Sequence, residues 1–347
     1  MRPIFKCVLK TFPLPLILPL ILACANPCLA AKPALYRDSR IIMGTLFEVQ
    51  VYDANAVRAK GAISAALDEM ARVDRLLSNY NPASELSRMN QEASQGPFHA
   101  SAELFTFVTV CRKFYDDTEG TFDPTVGALV RAWGFFSRQP GLPNAEQIAA
   151  ARLASGFDKV QIDPGETTIR YAVPHLEMDP GGIGKGYAAD QATEVLKRLG
   201  IHAALVNAGG SSISAIGHPP GQRAWRIAVS NPANESKALA VVELRDTSLS
   251  TSGVSQQSLQ TGPHTYSHIF DPRTGEPVEN MCQVTVVTQK GTDAEALSKA
   301  AFILSRGDLA DVLRRFPGSH VLRLEGSCAS NSIWVTQGSQ SVIRRSN

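Results

Sequence analysis

The sequence predicts an α+β fold, in which helices and strands are grouped along the chain rather than regularly alternated. In the first half, two segments carry apolar residues at helical spacing. In the second half, short strand-like segments dominate and only one further helical pattern follows residue 200. A doubly wound parallel sheet would instead alternate strands with helices. No internal repeat is visible.

The first half begins with a strand and a long helix. In residues 46–52, Phe47, Val49 and Val51 alternate with polar side chains, which predicts a half-buried strand. From about Asn55 to Leu77, apolar residues recur every three or four positions, which predicts an amphipathic helix. The elements that follow are a second helix over 102–115, a turn over 120–124, a short helix ending at Trp133 and a polar loop through 141–144, which we expect to be an excursion within one domain.

A glycine-rich loop stands in the middle of the chain. Residues 179–186 read Asp-Pro-Gly-Gly-Ile-Gly-Lys-Gly, and a helical pattern follows directly over 187–199. Glycines let the backbone turn sharply and approach a ligand closely, and a helix N-terminus presents unpaired N–H groups. Lys185 adds a positive charge, so the segment is typical of a phosphate-binding loop.

The remaining elements are mainly strands, predicted from short apolar runs bounded by turn residues. They are strands over 203–207, 225–230, 239–244, 266–270, 284–288 and 321–324, with one helix between the last two, from about Asp293 to Ser305.

The N-terminus reads as an export signal. Arg2, Lys6 and Lys10 surround the start of an apolar segment, and residues 12–23 are too short and too rich in proline to span a bilayer as a helix. A signal peptidase cut after Ala30 remains open.

We favour a second processing site, because Ile21-Leu22-Ala23-Cys24 resembles a bacterial lipobox. Cys24 would then be the lipidated first residue, and we expect an exported, periplasmic protein anchored to a membrane. The expected organisation is a signal peptide over 1–23, or 1–30 with the other cut, a tether over 24–38 and a single domain over 39–340.

The composition is that of an ordinary globular protein, with 44% hydrophobic and 19% charged residues. A net charge of +2 and the lack of a long basic run argue against nucleic-acid binding. Three of the six cysteines lie in the leader, and Cys111, Cys282 and Cys328 lack metal-ligand spacing. Export permits one disulfide with one thiol left over, and three buried thiols are the alternative.

The residues around the glycine loop exclude one nucleotide-binding family and argue against a second. A P-loop requires Gly where Asp179 stands and Ser or Thr where Gly186 stands. Residues 184–189 fit a relaxed dinucleotide pattern, but the next strand ends in residues 207–210, Asn-Ala-Gly-Gly, where an acidic residue would meet the ribose. A merely structural turn stays open.

His268 is a candidate general base. The Gly-x-Ser-x-Gly and Ser-x-x-Lys signatures of hydrolases are absent from the sequence. His264 and His268 have the spacing of a shared zinc ion on a helix, but an extended chain separates them by roughly 13 Å. Read with the glycine loop and residues 249–253, His268 before the turn at 271–275 would lie close to a bound phosphate. A polar histidine beside a β-turn is the alternative.

Taken together, these segments resemble the ApbE family of FAD:protein FMN transferases. The resemblance covers about residues 41–305 and implies a T-fold-like α+β domain of mixed, largely antiparallel sheets with flanking helices. The matching segments, in family order, are Met43-Gly44-Thr45, Ser78-Asn79-Tyr80, Ser84-Glu85-Leu86 with Asn90, Phe122-Asp123-Pro124-Thr125-Val126-Gly127, Trp133-Gly134-Phe135, 179–190, 207–210, Thr251-Ser252-Gly253 and 268–275.

The resemblance implies an enzyme that binds FAD and moves its FMN part onto a Thr or Ser hydroxyl of a target protein, releasing AMP. Such phosphoryl transfer depends on positioning and charge neutralisation, with a base for the hydroxyl proton. It implies His268 as this base and an exported redox subunit as the usual acceptor. The implied FAD contacts are Met43, Tyr80, Thr121, Phe122, Asp123, Asp179, Lys185 and Phe270.

The Mg²⁺ site that the resemblance implies is altered in this chain. It would use the Gly182 carbonyl and two side chains of the 294–300 helix, where this sequence has Glu295 and Lys299. A charged Lys299 cannot coordinate a metal ion. It could supply charge at the pyrophosphate, share the site with a metal held by Glu295, Gly182 and Asp293, or form an ordinary i, i+4 ion pair with Glu295.

A periplasmic lipoprotein that binds FAD without transferring it is the alternative function. An altered metal ligand suits that role, whereas His268 beside an intact turn favours an enzyme.

Overall fold

The computed structural model describes residues 32–135, 142–254, 258–261, 264–328 and 331–345. The chain from Lys32 onward forms one compact unit. The predicted leader with Cys24 lies outside the described residues, as does the start of the loop that leads to Asn144. Within the described ranges, no helix has the length and apolar character needed to cross a membrane.

Eight α-helices lie in the described residues. The predicted helices are confirmed as α1, α3, α4, α6 and α7, whereas α2, α5 and α8 were not predicted because helices of eight or nine residues are too short to show a clear apolar stripe. They are α1 (Ala56–Leu77), α2 (Glu85–Glu92), α3 (Ala102–Asp117), α4 (Gly127–Ala132), α5 (Ala145–Leu153), α6 (Gly184–Arg198), α7 (Gly291–Ile303) and α8 (Arg306–Leu313).

The strands pair antiparallel throughout the described sheets. In chain order they are β1 (Ala34–Ile42), β2 (Thr45–Asp53), β3 (Phe98–His99), β4 (Val160–Asp163), β5 (Thr168–Tyr171), β6 (Ala204–Ala208), β7 (Ser212–Ile216), β8 (Trp225–Asn231), β9 (Asn234–Leu244), β10 (Ser248–Gly253), β11 (Ser258–Thr261), β12 (His264–Ser267), β13 (Phe270–Asp271), β14 (Glu276–Pro277), β15 (Met281–Thr288), β16 (His320–Gly326), β17 (Asn331–Val335) and β18 (Ile343–Arg345).

An eight-stranded sheet, in the order β1-β2-β6-β7-β10-β15-β16-β17, forms the centre of the domain. Helices α1, α6 and α7 pack against one face, and the three-stranded sheet β18-β9-β8 packs against the other. Strand β15 is buried along its whole length because it lies between these two layers. Val284 and Val286 belong to the core on the helix side, and Val287 to the core on the opposite side.

The ends of the domain extend beyond the predicted limits. Strand β1 begins at Ala34 and pairs with β2, so the expected tether over 24–38 is too long at its C-terminal end. This strand was missed because it is an edge strand with mostly exposed residues and no apolar alternation. Strand β18, which pairs with β9, lies past the expected end at residue 340.

The predicted strand over 266–270 is wrong at its centre. The chain leaves β12 at Ser267 and re-enters a strand only at Phe270, so His268 stands between two short ribbons. The Ser267 hydroxyl accepts the backbone N–H of Ile269 at 3.0 Å. This local hydrogen bond replaces a ladder bond, which is the usual way that serine interrupts a strand.

The cysteine alternatives are decided by the neighbouring strands β15 and β16. Cys282 and Cys328 form a disulfide with a Cα–Cα distance of 5.1 Å. Cys111 is a free thiol buried in α3, and burial raises its pKa.

We expect the disulfide to stabilise the fold by restricting the unfolded chain. The bond closes a loop with a sequence separation of 46 residues. Replacing Cys282 and Cys328 together by alanine should lower the free energy of unfolding by about 2–4 kcal/mol, measured by urea denaturation of the non-reduced protein.

Dithiothreitol provides the matched control. It should lower the urea midpoint of the wild type and leave that of the double variant unchanged. Equal midpoints for the oxidised wild type and the double variant would contradict the prediction.

Candidate functional site

The glycine-rich loop is a single 3₁₀ turn that leads into α6. The turn spans Pro180–Gly182, and α6 begins at Gly184, three residues before the predicted start. The Asp179 carboxylate accepts the Gly181 N–H at 2.7 Å and so caps the turn. Burial raises the pKa of Asp179. Because α6 begins at Gly184, the N-terminus of this helix lies within the glycine-rich loop.

The segment before the loop is paired with residues 124–127. The Asp179 N–H donates to the Pro124 carbonyl at 2.6 Å, and the Gly127 N–H donates to the Glu177 carbonyl at 3.1 Å. These bonds bring two of the sequence motifs side by side. The motif at 122–127 therefore lies against the approach to the glycine loop.

The side chains of Thr121 and Asp123 are buried within their own turn. The Thr121 hydroxyl donates to the Thr118 carbonyl at 2.7 Å. The Asp123 carboxylate accepts the N–H and the hydroxyl of Thr125, at 2.8 and 2.6 Å. Burial raises the pKa of Asp123. Both side chains thus fix the shape of the segment that faces Asp179.

Helix α6 contacts the start of α7 through backbone atoms. A Cβ atom placed on Gly186 would lie 2.2 Å from the Gly291 carbonyl oxygen. The Asp190 carboxylate accepts the N–H groups of Gly291 and Thr292, at 2.7 and 2.9 Å, and the Thr292 hydroxyl at 2.6 Å. Asp190 therefore caps α7 from the neighbouring helix, and burial raises its pKa.

Two lysines and one carboxylate meet at this helix contact. Glu295 on α7 is 1% exposed, and its carboxylate accepts the Gly186 N–H at 2.5 Å. Lys185 Nζ lies 3.8 Å from the other oxygen of Glu295. Lys299, one turn further along α7, donates from Nζ to the hydroxyls of Ser252 at 2.8 Å and Ser298 at 3.3 Å.

Gly182 lies between an aromatic ring and the Lys299 side chain. A Cβ atom on Gly182 would be 3.4 Å from Phe122 Cε2, 3.8 Å from Lys299 Cγ and 4.0 Å from Lys299 Cε. The simple i, i+4 ion pair on an exposed helix is therefore wrong. Glu295 is buried and hydrogen-bonded to the loop, and the Lys299 ammonium points to Ser252 on β10.

Burial lowers the pKa of Lys299 to about 8, with Glu295 acting in the opposite direction and Lys185 in the same one. The ammonium is thus still mostly protonated at neutral pH.

The donor set does not fit Mg²⁺. This ion requires near-octahedral coordination by oxygen atoms. Here the Glu295 carboxylate already accepts an N–H and faces Lys185, and the aliphatic part of the Lys299 side chain stands beside Gly182. Burial raises the pKa of nearby Asp293, and the carboxylate of Asp190 adds to this rise. No group of three or more His, Cys, Asp or Glu residues suited to a metal ion occurs in the part of the chain described here.

A second group surrounds His268 and consists of aromatic rings. The centroid of Phe135 lies 6.5 Å from that of His268 and 5.8 Å from that of Phe270. Trp133 lies 5.9 Å from Phe270 by ring centroids, and its indole N–H donates to the Gly275 carbonyl at 3.1 Å. The residues just after α4 therefore hold both the histidine segment and the following turn.

Tyr80 lines a separate cleft of about 530 Å³ with Asn90, Arg131 and Glu177. Tyr80 is 76% exposed. Arg131 and Glu177 form a bidentate ion pair across the cleft, at 2.5 and 2.7 Å. Helix α4 connects this cleft to the aromatic group, because Arg131 belongs to the first and Trp133 to the second.

Met43 stands at the turn between β1 and β2. Its backbone N–H donates to the Asp74 carboxylate at 3.0 Å, its φ is 51°, and its side chain packs against the main core.

The structure brings most of the predicted residues into two groups. Phe122, Gly182, Lys185, Glu295 and Lys299 form one, with Thr121, Asp123 and Asp179 beside it, and His268 and Phe270 form the other. Tyr80 and Met43 lie in neither. Sequence reasoning gave no individual role to Asp190, Trp133 or Ser252, although each lies in a quoted motif, and it did not single out Ser298, since a serine within a helix gives no signal.

We expect Gly186 to tolerate no side chain. Gly186→Ala should cost about 1–3 kcal/mol of unfolding free energy, because the new Cβ would overlap the Gly291 carbonyl. Gly61→Ala, in an open, exposed position of α1, should stabilise by up to about 1 kcal/mol. Thermal and urea unfolding of both variants would measure the difference, and similar stabilities would exclude a tight contact between α6 and α7.

Known sequences match this chain over most of its length. A sequence model described as the ApbE family matches residues 43–322. The FAD:protein FMN transferase of Salmonella typhimurium is 32% identical over 291 residues, which covers 82% of this chain and 83% of that protein. The FAD:protein FMN transferase of Treponema pallidum is 29% identical over 306 residues, which covers 83% of each chain.

Solved structures match the fold. The ApbE protein of Thermotoga maritima has a TM-score of 0.82 at 26% identity and covers 90% of this chain and 100% of its own. Flavin transferase ApbE from Vibrio cholerae has a TM-score of 0.77 at 28% identity and covers 89% of this chain and 99% of its own. These matches confirm the predicted α+β fold of largely antiparallel sheets, and the chain belongs to the ApbE family.

Proposed function

We propose that the protein is an FAD:protein FMN transferase that moves FMN from FAD onto a Thr or Ser hydroxyl of a target protein and releases AMP. The observation that carries the proposal is that three separate motifs meet at one cationic site: a Cβ atom built on Gly182 would lie 3.4 Å from Phe122 Cε2 and 3.8 Å from Lys299 Cγ. The names of the relatives support the same reaction. The names of these relatives do not support the alternative of a lipoprotein that only binds FAD.

The cationic site suits the diphosphate of FAD. The N-terminus of α6, Lys185 and Lys299 present positive charge and N–H donors at one place. In the reaction, the acceptor oxygen bonds to the phosphorus of the FMN part, and the bond from that phosphorus to the AMP oxygen breaks. Positive charge at the bridging and terminal oxygens stabilises the charge that develops there.

His268 supplies the base in this proposal. It takes the proton of the acceptor hydroxyl as the new phosphorus–oxygen bond forms. It lies between β12 and β13, and its ring centroid is 6.5 Å from that of Phe135. Tyr80 and Phe270 are suited to contact the planar parts of FAD.

The Mg²⁺ that the resemblance implies has no place in this proposal. The residues at the implied Mg²⁺ site do not fit this ion, and the proposed transfer uses only side chains and backbone groups of this chain.

We also propose that the protein is exported and lipid-anchored at Cys24, and that its acceptor is an exported redox subunit. The lipobox-like residues 21–24 and the short apolar leader support the location. A membrane-attached transferase would meet acceptors in the same compartment.

Loss of the base should slow transfer without loss of FAD binding. His268→Asn is expected to reduce the transfer rate by about 10²–10⁴-fold, measured by mass spectrometry of the FMN adduct on a Thr-containing acceptor domain. FAD binding, followed by flavin fluorescence, should stay unchanged.

The exposed His99→Asn variant is the matched control and should transfer at the wild-type rate. If His268→Asn transfers as fast as this control, the histidine is not the base. If the wild type binds FAD tightly and forms no adduct with any acceptor, the transferase proposal fails.

The two leader cysteines separate the processing alternatives. Cys24→Ser should abolish the incorporation of labelled fatty acid in bacterial cells, because only the lipobox cysteine is modified, whereas Cys28→Ser should leave it intact. Labelling that survives in Cys24→Ser would contradict the lipid anchor at this residue.

A further inference from the structure

We propose that the ammonium of Lys299 replaces a metal ion at the diphosphate site, so that this protein binds FAD and transfers FMN without a divalent cation. The inference rests on the proposed function, and it concerns the charge at the diphosphate site rather than the reaction itself. It starts from the finding that the residues around Gly182 do not fit Mg²⁺.

The position of Lys299 argues against a metal ion beside Gly182. The aliphatic part of its side chain lies along the loop, with Cε 4.0 Å from a Cβ built on Gly182. The ammonium carries three N–H groups and no lone pair while protonated. A dication in the same place would be repelled by the ammonium and would gain no ligand from it.

Two hydroxyls hold the ammonium in place. Nζ donates to Ser252 on β10 at 2.8 Å and to Ser298 at 3.3 Å, and the two hydroxyls are 2.8 Å apart. The Ser298 hydroxyl also donates to the Glu295 carbonyl, at 2.7 Å. Within the described residues this network uses two of the three ammonium N–H groups. The third is left for an acceptor such as a phosphate oxygen.

The charge balance of the group favours an anion. Lys185 and Lys299 bring two positive charges, and Glu295 brings one negative charge. The N-terminus of α6 adds partial positive charge at the same loop. These three side chains together therefore carry a net positive charge without a metal ion. A diphosphate, which carries a negative charge on each phosphate, is the complementary ligand.

The contacts of Glu295 are not those of a metal ligand. A carboxylate that ligates a metal would direct its oxygens to the ion. Here one oxygen accepts the Gly186 N–H and the other faces Lys185. Glu295 is therefore a positioning residue, which fixes the first turn of α6 and the Lys185 side chain.

FAD affinity in the presence and absence of divalent cations tests the inference directly. The wild type, Lys299→Thr, Lys299→Met and the control Lys60→Thr, on an exposed face of α1, would be titrated with FAD in EDTA and in MgCl₂. We expect the wild type and Lys60→Thr to differ by less than about twofold between the two conditions. Lys299→Met should lose about 10–100-fold in both, as for a lost charged hydrogen bond.

Lys299→Thr should behave differently from Lys299→Met. Threonine offers a neutral hydroxyl, so this variant should bind FAD weakly in EDTA and recover about tenfold or more in MgCl₂. Electron paramagnetic resonance with Mn²⁺ alone, without FAD, gives a readout independent of activity. We expect the wild-type sample to show only the free-ion spectrum and the Lys299→Thr sample to show bound Mn²⁺.

The outcomes separate this inference from the proposed function. If EDTA weakens FAD binding by the wild type as strongly as by Lys299→Thr, or if the wild type binds Mn²⁺ stoichiometrically, the ammonium does not replace a metal. The Mn²⁺ test needs no folded variant, because it uses the wild type alone. If FAD binding is independent of metal but no FMN adduct forms, the part of the inference that concerns FAD binding holds and the transferase proposal fails.

Discussion

The contact between α6 and α7 is the constraint on which the site depends. Gly186 has no side chain, so its backbone touches the carbonyl of Gly291, and the carboxylate of Asp190 reaches across to cap α7. In the opposite direction, the carboxylate of Glu295 on α7 accepts the Gly186 N–H of α6. The backbone contact, the cap from Asp190 and the hydrogen bond to Glu295 therefore hold the N-terminal parts of α6 and α7 together. The glycine loop has its shape because it must deliver α6 into this position.

This pair of helices also fixes the loop relative to the central sheet. Helix α7 packs on β10 and β15, and the hydroxyls of Ser298 and Ser252 join its outer turn to β10. On the other side of the loop, Phe122 lies against Gly182, and residues 124–127 run beside 177–179. The cationic group is thus supported by a helix, a strand and an ordered turn. This support preorganises the charge. A mobile lysine would have to be ordered when the ligand binds, and the entropy cost would reduce the binding free energy.

The sequence predicted the parts of this arrangement that have a local signal. The apolar spacing of α1 and the glycine pattern before α6 each follow from residues close in the chain. What it missed depends on distant partners. Strand β1 is an exposed edge strand, visible only through its pairing with β2. For Lys299 the sequence left three roles open, because its partner Ser252 is 47 positions away. The choice of Cys282 and Cys328 for the disulfide likewise required the register of β15 and β16.

A lysine in place of a metal ion alters what the rest of the site must supply. An ammonium carries one charge where Mg²⁺ carries two, and it donates hydrogen bonds instead of accepting ligands. The missing charge must then come from Lys185 and the N-terminus of α6, which is why the position of Lys185 matters. Glu295 holds that lysine and also removes one positive charge from the group. Because one oxygen of Glu295 accepts the Gly186 N–H and the other faces Lys185, the carboxylate is shared between the backbone and one lysine, and the Lys299 ammonium is held by hydroxyls instead.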